Sequence, residues 1–209
     1  PSVSEVVRLV RGLVHGVSHY HRRTNIIHGD ISSANIVISS GTKNVVLIDF
    51  GAAWPIERAA LRETDAYTPP YAAAERIAKH ASEDFRSDMF SVSAIAYELL
   101  TQKLPYDGLG GQAGTPNLAA KTAGSYRDPS TEILSRGRLT KETIHLLDEC
   151  VGRGLKLHPD ERFATSTEWL AAWDELHLSL KKGSRLSRVE ELFLTGIDSL
   201  VSLFSRKKA

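Results

Sequence analysis

The sequence predicts a mainly α-helical fold with a few short β-strands, and three observations carry that reading. Apolar residues recur at helical spacing from the first residues. The second half is almost wholly helical in pattern. The only strand-like runs are short, β-branched and confined to residues 26–50. Val3, Val6, Val7, Val10, Leu13, Val14 and Val17 line one face of the first helix. Ser2 with Glu5 three residues later reads as a capping box that starts it. Then comes a polar loop between two β-branched runs, a turn at Gly41, and the apolar run VVLIDF ended by Gly51. From Ser87 onward MFSVSAIAYELL reads as a helix, followed by a Gly/Pro-rich loop and by helices over Lys141 to Val151 and Ser166 to Leu178.

The 209 residues suit one domain able to bury a sizeable core. Lys+Arg 26 against Asp+Glu 25 gives a formal net charge of +1, so no global field marks a nucleic-acid or membrane-surface binder, and no nucleic-acid partner is expected. A single cysteine, Cys150, has no partner for a disulfide within the chain, and no stretch approaches the roughly 20 apolar residues of a membrane helix. A reducing, cytoplasmic setting is the expectation. KKGSR (181–185) reads as a linker. Beyond it an amphipathic C-terminal helix is expected over 186–208, docking on its own domain in preference to a membrane surface.

Two acidic residues are set in distinctive surroundings: Asp30 in HGDISSAN, with Asn35 five residues on, and Asp49 in IDFG, 19 residues after Asp30. Further on stand TPPYAAAE (68–75), SDMFSVSAIAYELL followed by LPY, and HPDERF (158–163). In this order they resemble the catalytic loop (28–35), the metal-binding triplet, the end of the activation segment (49–75) and the later landmarks of serine/threonine protein kinases. The resemblance covers about residues 2–178, and the expected domain is a kinase-like C-terminal lobe over 1–180 without the small N-terminal lobe.

The resemblance implies roles for particular residues. Asp30 would receive the substrate hydroxyl's proton, and Asn35 and Asp49 would hold Mg²⁺ against the phosphates of ATP, with Ser32 also near the nucleotide. His28 would pack in the loop and Gly51 would allow a sharp turn beside the metal. Thr68 would bond near the catalytic Asp, Asp88 would bond the loop backbone, and Glu75 would pair with Arg162. A protein hydroxyl is the expected substrate.

Departures from the family pattern matter as much. The Arg usual between His28 and Asp30 is Gly29, which removes the cation that normally binds a phosphorylated activation segment. That also weakens Thr64 as a regulatory phosphosite. The usual Lys two residues after Asp30 is Ser32, and Ala74 replaces the Pro of the closing triplet. Only 29 residues precede Asp30 and the first Lys is Lys43, so the Gly-rich loop and strand Lys of the small lobe are expected elsewhere on the polypeptide or on a partner chain. The isolated chain is therefore expected to be inactive. GLGGQAG (108–114) reads as a flexible loop, since no strand leads into it and no GK[ST] follows. His15, His19, His21 and His28 lack the further ligands of a zinc site. A pseudokinase or scaffold, motivated by Ser32 and the absent clamp, and a small-molecule phosphotransferase, motivated by HGD with Asn35, are the alternatives.

Overall fold

A computed structural model describes residues 1–61, 66–78, 83–122, 124–133 and 139–183. Helix α1 (Val3–Thr24) begins at the expected capping box: the Glu5 amide donates to Ser2 Oγ, and the Ser2 amide donates to Glu5 Oε2 at 2.8 Å. It ends where Asn25 turns left-handed (φ 54°) and its amide returns to the His21 carbonyl. The predicted apolar stripe, Val3 through Val17, is buried.

Among the described residues four short strands follow: β1 (Ile26–Ile27), β2 (Ile36–Ile38), β3 (Val45–Leu47) and β4 (Trp54–Pro55). They form two antiparallel ribbons. In one, β1 faces β4 with Ile27 opposite Trp54; in the other, β2 faces β3 with Val37 opposite Val46. A strand of two residues has no room to display an alternating pattern, and β4, outside the β-branched runs, gave no strand signal.

The remaining helices are α2 (Ala74–Ile77), α3 (Arg86–Thr101), α4 (Pro116–Thr122), α5 (Pro129–Glu132), α6 (Lys141–Gly154) and α7, over 166–183. Helix α3 is the hub. It is buried on nearly every side, from Met89 and Phe90 to Tyr97 and Leu100, and its buried polar groups include Asp88 and Ser87, both hydrogen-bonded. It packs against α1, α5 and α6. A Cβ on Gly154 of α6 would stand 1.9 Å from Ser93 Oγ, so glycine there sets how closely α3 and α6 approach. Trp169, Trp173 and Leu176 of α7 complete the core with no exposure.

Two expectations are corrected. Helix α7 continues through Lys181, Lys182 and Gly183, so the start of the expected linker is helical; the lysines are good helix formers and Leu180 still packs on the core. Residues 184–185, the expected helix at 186–208 and Thr64 lie outside the described residues. Likewise, 108–114 is a packed segment. It folds as 3₁₀ turns, the Gly111 amide donates to the Ala72 carbonyl at 2.8 Å, and a Cβ on Gly111 would lie 2.2 Å from the Ala74 nitrogen. The glycines there serve close backbone contact.

Candidate active site

The loop after β1 is held from below by one carboxylate. Asp88, buried in the first turn of α3, accepts from the His28 amide at 2.8 Å and the Gly29 amide at 3.0 Å. It also accepts from Tyr20 Oη at 2.5 Å and His21 Nε2 at 2.8 Å. Burial alone would raise the Asp88 pKa, but the bonds from His21, Tyr20 and the His28 amide outweigh it and hold the group below the ordinary carboxylate value. Burial, reinforced by Asp88, pushes the Tyr20 hydroxyl well above its usual range. The expected tie between Asp88 and the loop backbone is thus present.

On the other face of the loop Asp30 is fixed by two partners. Thr68 Oγ1 donates to Asp30 Oδ1 at 2.7 Å. Asn35 Nδ2 donates to the Asp30 carbonyl at 2.8 Å and to Oδ2 at 3.3 Å. With its NH₂ engaged in this way, Asn35 keeps its carbonyl oxygen for another ligand.

Ile48 brings Asp49 beside this group. Its amide donates to the Asn35 carbonyl at 2.9 Å, and its carbonyl lies 3.2 Å from His28 Nε2. His28 Nδ1 faces the Asp30 amide at 3.4 Å, so the ring links the 28–35 loop to the residue before Asp49. The Phe50 ring packs on the same imidazole, with centroids 4.6 Å apart.

Two predicted roles change. The left-handed residue of the IDFG turn is Asp49 (φ 62°, ψ 75°), whereas Gly51 has no positive φ. Gly51 instead donates its amide to Asp49 Oδ1 at 3.1 Å, where a Cβ would crowd that oxygen at 3.0 Å. Ser32 is 1% exposed and its hydroxyl has no hydrogen-bond partner among the described residues. A hydroxyl enclosed in this way is not presented to solvent, where the expected nucleotide contact would need it.

The closing ion pair is formed. Arg162 Nη1 and Nη2 donate to Glu75 Oε1 and Oε2 at 2.6 and 3.0 Å. The other three N–H groups of Arg162 donate to the carbonyls of Lys156, Arg86 and Leu157, and Ser87 Oγ donates to Glu75 at 2.8 Å. Burial would raise the Glu75 pKa, but the Arg162 guanidinium overrides it and lowers it.

Sequence reasoning missed Tyr71, Glu98 and Arg76. Tyr71 Oη donates to Glu98 Oε2 at 2.7 Å and meets Ser33 Oγ at 2.9 Å, tying residues 68–75 to the 28–35 loop and to α3. Tyr71 stands inside TPPYAAAE, so a signal was present; Glu98 and Arg76 carried none.

The protein kinase domain model matches residues 2–171. The serine/threonine-protein kinase GIN4 of Saccharomyces cerevisiae is 33% identical over 132 residues, covering 63% of this chain and 11% of that protein. Ribosomal protein S6 kinase alpha-4 of Mus musculus is 33% identical over 122 residues, covering 56% and 16%. MAP kinase kinase mkk-4 of Caenorhabditis elegans is 37% identical over 93 residues, covering 44% and 25%. The chain thus spans a quarter or less of the length of these relatives. A domain match over most of the chain, on a fold that assembles the motif residues as described, shows that it belongs to the protein kinase family.

Proposed function

We propose that this chain is the large lobe of a serine/threonine protein kinase that transfers the γ-phosphate of ATP to a protein hydroxyl. The observation that carries the reading is the 2.7 Å bond from Thr68 Oγ1 to Asp30 Oδ1, which seats the activation segment directly on the candidate base. Small-molecule phosphotransferases resembling this loop lack that segment. In the proposed reaction Asp30 takes the proton of the substrate hydroxyl as its oxygen bonds to the γ-phosphorus and the bond to ADP breaks. Asn35 and Asp49 would hold a magnesium ion. Their side chains carry hard oxygens, and the Ile48 amide bonded to the Asn35 carbonyl sets residue 49 next in the chain to that contact. Magnesium held there would neutralise charge on the phosphates.

A small lobe, from the same polypeptide or a partner, is part of the proposal. Val37, Ile38, Val46, Ile48 and Phe50 on and beside β2 and β3 are 41–49% exposed, apolar surface of the kind that another domain covers. No described helix is long and apolar enough to cross a membrane, and a cytoplasmic site of action is proposed. One observation favours the scaffold reading instead: the buried Ser32 stands where the family places a phosphate-steadying Lys.

The test uses the full-length gene product with Mg²⁺ and γ-labelled ATP, offered protein hydroxyls and small alcohols. Label should enter protein and be lost with Asp30→Asn or Asp49→Asn. Label in alcohols alone, or none in either, would overturn the reading.

A further inference from the structure

Arg76 is a cation buried where the sequence gave no reason to expect one. It follows Glu75 in α2 and is 3% exposed. Its Nε donates to the Gly29 carbonyl at 3.1 Å, and its Nη2 donates to the Ala66 carbonyl at 2.7 Å. The guanidinium carbon lies 5.7 Å from the centre of the Tyr67 ring, and Glu83 Oε1, also buried, is 3.9 Å from Nε. A guanidinium is costly to bury unless acceptors replace water, and here carbonyls, a ring face and a carboxylate do so.

Two of those acceptors share a meaningful position. Gly29 immediately precedes Asp30, and Ala66 stands two residues before Thr68. One guanidinium therefore bridges the two stretches of chain that meet in the Thr68–Asp30 bond. Gly29 makes room for it. Its φ is +76°, and a Cβ there would lie 3.6 Å from Arg76 Nη2, 3.7 Å from the guanidinium carbon and 3.1 Å from the Ala52 carbonyl oxygen. Any longer side chain at position 29 would contend with Arg76 for the same space. The cation missing from the catalytic loop is thus supplied from α2, facing the other way.

We infer that Arg76 is a positioning residue that holds the activation segment against the catalytic loop without any phosphate on that segment. Its acceptors are main-chain carbonyls, so the bridge beside the Thr68–Asp30 bond needs no added phosphate to form. The effect on rate rests on the kinase reading above; the alignment itself does not.

Two arms separate them. Hydrogen exchange of the 209-residue chain, read by mass spectrometry, compares the parent with Arg76→Ala and Arg76→Lys. Losing two bonds from a charged donor should speed exchange about tenfold or more in 28–31 and 66–73 for Arg76→Ala, less for Arg76→Lys, with α6 unchanged. No change in those stretches, or equal loosening of α6, overturns the inference. In the second arm the full-length gene product is assayed before and after phosphatase. Activity should survive treatment, and Arg76→Lys should lower kcat by up to about a hundredfold with KM for ATP unchanged. Activity lost on dephosphorylation refutes the inference. A parent protein inactive in both conditions refutes the kinase reading, and the exchange arm then decides the role of Arg76.

Discussion

Removing Glu75 is the sharpest test of how this lobe is locked. The Glu75→Leu variant deletes the carboxylate that takes two of the five N–H groups of Arg162 and the hydroxyl of Ser87. Arg162 would keep three carbonyls and its charge, on a side chain with no solvent exposure. Breaking a buried pair from one side costs about 3–5 kcal/mol. In a chain of this size that corresponds to a fall in Tm of about 6–20 °C. The double variant Glu75→Leu with Arg162→Met removes the stranded charge, and should recover about 2 kcal/mol relative to the sum of the single changes. Urea denaturation followed by circular dichroism and by fluorescence of the buried Trp169 and Trp173 measures both. A loss below about 1 kcal/mol for Glu75→Leu, the range of exposed ion pairs, would refute the claim that this pair is desolvated and structural.

Four further outcomes are expected. Asp88 and Glu75 both titrate below their ordinary values when folded, so unfolding takes up protons. Their stabilisation is complete above about pH 5 and is lost as pH falls through the lowered folded values; urea midpoints from pH 6 to pH 2 should drop, and a flat profile would contradict the sign. Gly111→Ala places a methyl 2.2 Å from the Ala74 nitrogen and should cost about 1–3 kcal/mol or more by denaturation, against nearly nothing for Gly41→Ala, which meets no atom within 4 Å. Burial raises the Cys150 thiol to about 12, so a disulfide reagent at pH 8 should label it only at the rate of unfolding; prompt labelling of native protein would count against the packing. Finally, the chain should bind an apolar fluorescent dye, and Val37→Ser with Val46→Ser should reduce that signal; a parent chain that binds none would remove the support for a docked small lobe.

The long elements were legible because their chemistry is periodic or punctuated. Ser2 with Glu5 announced α1, and the valine stripe named its buried face. SDMFSVSAIAYELL was legible as a helix from its pattern. In the site, the partners of Asp30, Asp88 and Glu75 were readable through motif order. What escaped were contacts that depend on tertiary folding alone. Nothing about Arg76 in sequence distinguishes it from a surface arginine, since its acceptors are backbone carbonyls 47 and 10 positions away. The packed run 108–114 looked loose because glycine serves both free turns and very close contact, and only the neighbouring chain decides between them. Ser32 was placed near the nucleotide by its position in the motif, and its burial depends on tertiary packing that the motif does not report.

The Asp88 anchor also sets a timetable for synthesis. Residue 28 leaves the ribosome 60 residues before the carboxylate that orders its amide, a delay of about 3–12 s at ordinary rates of elongation. The arginine that secures Glu75 follows 87 residues behind its partner. A nascent chain therefore carries its acidic loop unmoored until α3 has emerged, and stays unlatched until residue 162 arrives. A polypeptide ending before that point would present every motif residue of the loop and still lack the closure that makes them a site.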